Sequence, residues 1–428
     1  MNLRRLLAGG LSLTVLTGAL FAAAASPSSG ATPIAGEGIM CEPGNGSYTM
    51  TAAAGRMTLP DGNTIYTWGY HTPTHDFQNT APTLCVTVGT PVRVALTNNL
   101  TADTSLMFPG MPNVQADGVE SAPLSDATGR VTSLAPIAPA NGGTVTYTFT
   151  PNKPGTYLYE SGTDVNTQIE MGLYGALIVR PAASATQAYD DPRTAFEPNR
   201  EFLHVLSQVD PQIHSDVELG KPVDWSTYSP KYFLLNGRSA PDTVSPNDAA
   251  WLPYQPYGSM VHVRPQDPNG GDTLPALVRY INVMNTDAAF HPHGNTERVI
   301  AEDAAPLDSA GSGDSSYGSF LVDVGASRTV DAMFTWYDVE KYDPVSNPIP
   351  VALSPFQDII LKGTWYAMSP YLGLQQNLPA GITQFNQCGE YYHMAHNHAL
   401  DKATNYGATF GGQMTLIRID PLNGCPAK

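Results

Sequence analysis

Five of the ten histidines stand in two short clusters, whose spacing could bring imidazole groups together around a metal ion. The first cluster is His291-Pro-His293, and the second is His393-Met-Ala-His396-Asn-His398. Because side chains alternate along a β-strand, His291 and His293 would share one face, with Cα atoms about 6.6 Å apart. His396 and His398 would share a face of a second strand in the same way. Two such pairs on neighbouring strands could hold a transition metal, copper or zinc.

The second cluster contains two further candidate ligands. His393 lies at odd spacing from His396, so on a regular strand it would face away from the pair. Met394 lies at even spacing and could offer a soft thioether ligand to Cu(I).

The alternative interpretation is that these histidines lie on loops or turns and make ordinary hydrogen bonds. For one isolated pair the two interpretations would be balanced, but two clusters in one predicted domain favour metal binding. The other histidines have no clustered neighbours, and we expect ordinary structural roles for them: His71, His75, His204, His214 and His262.

Two series of strand signals surround these residues, each a short run of β-branched and aromatic residues between turn residues. The first series covers 83–88, 92–96, 144–149, 155–159 and 174–179. The second covers 202–206, 277–284, 298–301, 320–324, 329–334, 391–398 and 413–417. Each series predicts one antiparallel β-sandwich, so the chain is expected to be all-β. The stretches 211–260 and 337–386 are rich in Pro, Tyr and Ser and are predicted to be long loops.

The chain is expected to be exported to the periplasm or the cell exterior. Arg4 and Arg5 precede an apolar run, and Ala23 and Ala25 offer a cleavage site, so residues 1–25 are predicted to be a signal peptide. The arginine pair leaves the twin-arginine route open, but the general secretory route is favoured. The rest divides into a flexible lead-in (26–40), a first domain (41–182), a linker (183–200), a second domain with long loop insertions (201–421) and a C-terminal tail (422–428).

The cysteine count predicts disulfide bonds, and the net charge limits the kinds of partner that the protein could bind. The four cysteines of an exported chain are expected to form disulfides, and pairing Cys41 with Cys85 and Cys388 with Cys425 keeps each bond within one domain. Three connectivities remain open. The formal net charge of −17 argues against nucleic acid and acidic membrane surfaces as partners. After the signal peptide, no apolar run is long enough for a membrane span.

Several sequence phrases, in this order and spacing, resemble the multicopper oxidases. In the first domain they are TNNL at 97–100, TSLMFPGMPNVQADG at 104–118, PGTYLYESG at 154–162 and GLYGALIV at 172–179. In the second they are NGR at 236–238, VMNT at 283–286, RVIAED at 298–303, VGASR at 324–328 and GEYY at 389–392. The resemblance covers nearly the whole mature chain and implies two cupredoxin-like Greek-key sandwiches, as in small laccases.

The resemblance implies a copper site that keeps only half of the family's ligands. The family holds three coppers with four His-x-His pairs, two from its first domain and two from its last. The last-domain pairs correspond to His291 with His293 and His396 with His398. The positions of the first-domain pairs hold other residues: Met107 and Pro109, and Glu160 and Gly162. Glu160 could be an extra ligand or a solvated acid at a strand end, and Met107 is more often a core residue.

The resemblance also implies that the blue copper site is absent. Asn397 stands where the family has the cysteine that binds this copper, and Ala288 and the region of Lys402 stand where it has the remaining histidines. The copper nitrite reductases need the same cysteine, which argues against that function.

Three functions are compatible with this ligand set. The first is a copper-dependent oxidoreductase with a histidine-only site, acting with a small reductant or oxygen. The second is a copper-binding protein that sequesters or delivers the metal without catalysis, and the third is a relic that no longer binds metal. Because the first-domain ligands are lost, copper should not require a partner subunit, and we expect a monomer or a weak homo-oligomer.

Overall fold

The computed structural model describes residues 37–266, 273–309, 313–336 and 391–420, and they form two β-sandwiches. The first sandwich packs a sheet of order β2-β1-β4-β9-β5-β6 against a sheet of order β10-β11-β3. Its strands are β1 (Ser47–Thr58), β2 (Thr64–His71), β3 (Leu84–Thr87), β4 (Val92–Asn98), β5 (Gln115–Ala116), β6 (Val119–Glu120), β7 (Leu124–Ser125), β8 (Val131–Ser133), β9 (Gly143–Phe149), β10 (Gly155–Glu160) and β11 (Tyr174–Arg180).

The second sandwich packs a sheet of order β18-β17-β23-β15-β12-β13-β25-β26 against a sheet of order β14-β27-β24-β16-β22. Its larger strands are β12 (Glu201–Val209), β13 (Tyr232–Leu235), β14 (Val261–Val263), β15 (Ala276–Asn282), β16 (Ala288–Pro292), β17 (Glu297–Glu302), β22 (Val322–Val324), β23 (Thr329–Phe334), β24 (Tyr391–Asn397) and β27 (Met414–Ile419). Shorter ones are β18 (Ala305–Pro306), β19 (Asp308–Ser309), β20 (Gly313–Asp314), β21 (Tyr317–Ser319), β25 (Thr404–Asn405) and β26 (Ala408–Thr409).

The two sandwiches repeat one topology. In the first, β1 runs parallel to β4, and β11 pairs parallel with β3 and antiparallel with β10. In the second, β12 runs parallel to β15, and β27 pairs parallel with β14 and antiparallel with β24. The prediction of an all-β, two-sandwich fold is therefore confirmed, and β10 and β24 occupy equivalent places.

Some elements differ from the sequence prediction. Strands β1 and β2 were not predicted, and the predicted loop 211–260 contains helix α2 (Pro211–Glu218) and strand β13. Asp210 caps α2 by accepting a hydrogen bond from the backbone N–H of Gln212, and Pro211 supplies a first-turn residue that needs no N–H partner. The first sandwich also has a helix of six residues, α1 (Val165–Glu170).

Apolar contact joins the two sandwiches. Side chains of β10 and β11, including Leu158 and Ile178, pack with Val205 of β12 and Ile281 of β15 in one buried cluster. Every residue of β10 is therefore buried, because one face meets the first core and the other meets the second sandwich.

A buried ionic network reinforces this contact. The guanidinium of Arg279 on β15 is fully buried and pairs with Glu201 (2.8 Å) and Asp331 (3.1 Å). It also donates to the hydroxyl of Thr156 on β10. Asp331 accepts a further hydrogen bond of 2.6 Å from Tyr189, in the segment between the sandwiches. The network thus contains groups from both sandwiches and from their connection.

Cys41 and Cys85 form a disulfide with a Cα–Cα distance of 5.4 Å, which confirms that predicted pair. The predicted Cys388–Cys425 pair, the signal peptide, most of the lead-in, the loop 337–386 and the C-terminal tail lie outside the described residues. Within the described ranges, no helix has the length and apolarity needed to cross a membrane.

Replacing Arg279 with alanine should lower the free energy of unfolding by about 3–5 kcal/mol, because Asp331 would be left buried without its cation and Glu201 would keep only Arg180. Denaturant titration measures the change. The matched control is Arg328→Ala, since Arg328 also contacts two carboxylates but is 46 % exposed, and its loss should cost about 0–1 kcal/mol. Equal losses in the two variants would contradict the role given to the buried network.

Candidate metal centre

Strands β16 and β24 bring the two histidine clusters side by side. They pair antiparallel, with His291 directly opposite His396. The backbone N–H of His293 donates to the carbonyl of Met394 at 2.9 Å, so the contact continues beyond the last residue of β16. Directly opposed residues share a face of the sheet, and side chains two residues apart do so as well. The register therefore places His291, His293, His396 and His398 on one face.

The four imidazole rings form one contiguous group. The Nε2 atoms of His293 and His396 are 3.0 Å apart. The ring of His291 lies with its centroid 4.7 Å from that of His293, 5.7 Å from that of His396 and 5.1 Å from that of His398. The predicted pairs are thus brought together as one cluster, in which His398 is exposed while His291 and His293 are half-buried.

Backbone carbonyls orient two of these rings. The Nδ1 atom of His291 is hydrogen-bonded to the carbonyl of Phe320, and that of His396 to the carbonyl of Asn397 at 2.8 Å. A carbonyl accepts only, so Nδ1 carries the proton and Nε2 keeps its lone pair. This is the arrangement by which ligating histidines are held in other proteins. Sequence reasoning missed Phe320, because a backbone carbonyl leaves no mark in the residue type.

The cluster favours neutral imidazoles. Burial and the neighbouring imidazoles lower the pKa of His293 to about 4. Burial also lowers the pKa of His396, and the nearby His291 and His398 contribute in the same direction. Neutral imidazole is the form that binds a metal.

The donor set fits copper or zinc after a small adjustment. Across the described ranges, no three His, Cys, Asp or Glu side chains already stand in the geometry of a metal site. Imidazole nitrogens bind at about 2.0–2.1 Å, so two tetrahedral ligands lie about 3.3 Å apart. The Nε2 atoms of His293 and His396 are a few tenths of an ångström closer than this. A slight rotation of the two rings would therefore make room for an ion.

The other two candidate ligands of β24 have partners of their own. His393 is buried and packs against Trp336, with ring centroids 4.6 Å apart and ring planes tilted by 42°. Burial, with His293 nearby, lowers its pKa to about 4. Met394 packs beside a small apolar cluster formed by Ala240, Ala403 and Met414.

A hydrogen-bonded side chain stands where the resemblance places the blue copper cysteine. Asn397 is fully buried, donates to the side-chain oxygen of Gln413 at 2.8 Å and accepts from the backbone N–H of Ala399 at 3.0 Å. Both the nitrogen and the oxygen of its side-chain amide are thus hydrogen-bonded to neighbouring residues.

Two other residues, Ala288 and Lys402, stand where the resemblance places the remaining histidines of the blue copper site. Both are held by contacts within the second sandwich. Ala288 is fully buried in the core of the second sandwich. The ammonium of Lys402 donates to the carbonyl of Asp287 at 2.8 Å, and burial lowers the pKa of Lys402.

The first sandwich has an equivalent place, and it holds no histidine. Met107 and Glu160 form an antiparallel bridge through two backbone hydrogen bonds, in the way that His291 opposes His396 in the second sandwich. Gly162 lies against Met107, and a side chain at Gly162 would collide with the methionine sulfur. Burial raises the pKa of Glu160 to about 7. Glu160 lines a cavity whose walls contain no histidine, so it does not share the site of the four rings.

The remaining histidines have the partners expected of structural residues. The Nε2 atom of His204 donates to the backbone carbonyl of Ser259, and the ring packs against Tyr280, while His214 contacts two carbonyls. His262 lies between Glu37 and Asp420. His71 contacts a backbone carbonyl, and His75 contacts the exposed carboxylate of Asp248.

Comparison with known proteins agrees with this geometry. Residues 70–184 match the family model described as multicopper oxidase. This match confirms the resemblance found in the sequence phrases. The matched residues include Met107, Pro109, Glu160 and Gly162, which stand where the resemblance places the histidine pairs of the family's first domain.

Solved structures extend the likeness to most of the chain. The multicopper oxidase mgLAC is 18 % identical with a TM-score of 0.55, and the blue copper oxidase from Nitrosomonas europaea is 19 % identical with a TM-score of 0.53. Each match covers 87 % of this chain and 85 % of the other. At this identity the likeness establishes the fold, a pair of cupredoxin-like sandwiches. No curated protein matches the sequence.

Copper added to this protein should give no intense blue colour. Asn397 offers an amide where the family has a thiolate, so the strong absorption band near about 600 nm should be missing. Absorption and electron paramagnetic resonance spectra of the protein loaded with Cu(II) test this. An intense band would contradict the assignment and would point to a thiolate from Cys388 or Cys425.

Proposed function

We propose that this chain is a copper protein of the multicopper oxidase type that acts as an oxidoreductase through a histidine-only site. The observation that carries the proposal is the meeting of His291, His293, His396 and His398 on two paired strands. The names of both structural neighbours, a multicopper oxidase and a blue copper oxidase, support copper as the metal.

This site is expected to act on fewer kinds of substrate than a laccase does. A bound copper ion would supply one-electron redox chemistry. No thiolate lies between the final histidines, so electrons have no route from a distant substrate through residue 397. The exposed ring of His398 and the half-buried rings of His291 and His293 leave one side of the cluster open to solvent. A small reductant or oxygen could reach this side directly, whereas a bulky phenol would have no separate docking centre.

The solvent-exposed side of the histidine cluster also supports a second function. A site that exposes His398 at the surface could pass a metal ion to another protein, as a sequestration or delivery protein must. This protein would bind copper as tightly but would not consume oxygen.

We also infer export to the periplasm or the cell exterior. The disulfide between Cys41 and Cys85 supports this proposal, because such bonds persist mainly in oxidising compartments. Assembly as a monomer or a weak oligomer is part of the same proposal, since all four imidazoles come from one chain.

Replacing His291 and His293 with alanine, or His396 and His398, should lower copper affinity at least about 100-fold, because even changes behind the ligands cost about 10–100-fold. Isothermal titration and metal analysis of each double variant measure the loss. The control is His75→Ala, which removes a half-buried imidazole that pairs with the exposed Asp248 and should leave affinity unchanged. Full copper occupancy in the combined four-alanine variant would show that the metal site lies elsewhere.

Oxygen uptake separates the two functions. With copper bound and ascorbate as the reductant, the oxidoreductase should consume oxygen, and this activity should disappear together with copper in both double variants. Tight copper binding without oxygen uptake would instead favour the sequestration or delivery function.

A further inference from the structure

A cavity of about 490 Å³ lies between the two sandwiches. The first sandwich contributes Met107, Glu160 and residues of α1, and the second contributes residues of β12, the turn at 225–228 and the loop after β15. This volume is within the range of sites that hold small organic molecules, about 300–1,000 Å³.

Glu160 is the unusual group in the wall of this cavity. The residue is 8 % exposed, and among the described residues no side chain or backbone group donates a hydrogen bond to its carboxyl group. The other acid of the wall, Glu170, accepts 2.6 Å hydrogen bonds from the hydroxyl of Tyr228 and the backbone N–H of Asp210. Glu170 is therefore fixed by the fold, whereas Glu160 is a buried acid that lacks a partner of its own.

The charges of the wall favour a cation. The lining residues include two carboxyl groups and no lysine, arginine or histidine. Burial raises the pKa of Glu160 to about 7, because nothing nearby compensates the charged form. A positive group placed beside Glu160 would stabilise its carboxylate.

The rest of the wall suits an organic cation with an apolar or aromatic body. Trp225 and Tyr228 line one side with ring centroids 5.5 Å apart, and aromatic faces attract cations. The amide group of Gln208 donates to the oxygens of Tyr228 and Asn285, which holds that side in place.

The same wall argues against a metal ion. Calcium takes six to eight oxygen ligands, and magnesium needs a near-ideal octahedron. In this cavity, the carboxyl group without a hydrogen-bond partner is that of Glu160. The residue directly opposite Glu160 is Met107, which offers a thioether and no oxygen ligand.

We infer that the cavity between the sandwiches binds a small organic cation, a protonated amine with an apolar or aromatic body, with Glu160 as its counter-ion. This site is separate from the four-histidine cluster, and it stands whether or not the cluster binds copper.

A charge series of probes of one size tests the inference: benzylamine, benzyl alcohol and benzoate. Titration calorimetry on the full protein should show benzylamine binding at least about tenfold more tightly than benzyl alcohol, with benzoate weakest. In Glu160→Gln, which keeps the shape of the side chain, benzylamine should lose at least about tenfold in affinity and benzyl alcohol should be unchanged. The control is Glu120→Gln, which removes an exposed acid of the same domain and should change neither.

A second variant keeps the test valid should Glu160→Gln fail to fold. Asn166 lines the cavity but is exposed, so Asn166→Lys should fold and should weaken benzylamine by placing a competing cation at the rim. Copper content measured in parallel should be the same in all variants. Equal affinity for the amine and the alcohol, undiminished amine binding in Glu160→Gln or Asn166→Lys, or no binding of benzylamine at millimolar concentration would each overturn the inference.

Discussion

The buried guanidinium group of Arg279 connects parts of the chain that are far apart in sequence. It pairs with Glu201 at the start of the second sandwich and with Asp331 on a neighbouring strand, and it donates to Thr156 in the first sandwich. Such a network orients its members strictly, because a buried charge that loses its partner is costly. Together with the apolar cluster of Leu158, Ile178, Val205 and Ile281, this network holds the two sandwiches against each other and keeps β10 buried.

Burial of β10 explains why equivalent places in the two sandwiches now differ in chemistry. Strand β24 carries His396, and the imidazole cluster it joins extends to the solvent-exposed His398. Strand β10 carries Glu160 at the corresponding bridge, where the second sandwich covers it. The two sandwiches thus share one topology but differ at this place. The second has imidazole groups that reach the surface, and the first has an acid without a partner at the interface between the sandwiches.

The sequence predicted the parts of the molecule that depend on local alternation. Residue spacing was enough to place His291 with His293 and His396 with His398, because a regular strand has only two faces. It was not enough for β1, whose Ala and Thr residues give a weak strand signal, nor for α2, whose start depends on the cap at Asp210. The orientation of His291 by the carbonyl of Phe320 and the isolation of Glu160 arise from tertiary packing, which no residue pattern encodes.

The hydrogen bonds of Asn397 limit which residues can stand at this position. A cysteine here would leave the side-chain oxygen of Gln413 and the backbone N–H of Ala399 without their present partner. Each unsatisfied buried group costs about 1–3 kcal/mol. The single substitution Asn397→Cys would therefore destabilise the domain without completing a thiolate–imidazole site, since Ala288 and Lys402 supply no imidazole. A thiolate copper centre could be built here only if several neighbouring residues changed together with Asn397.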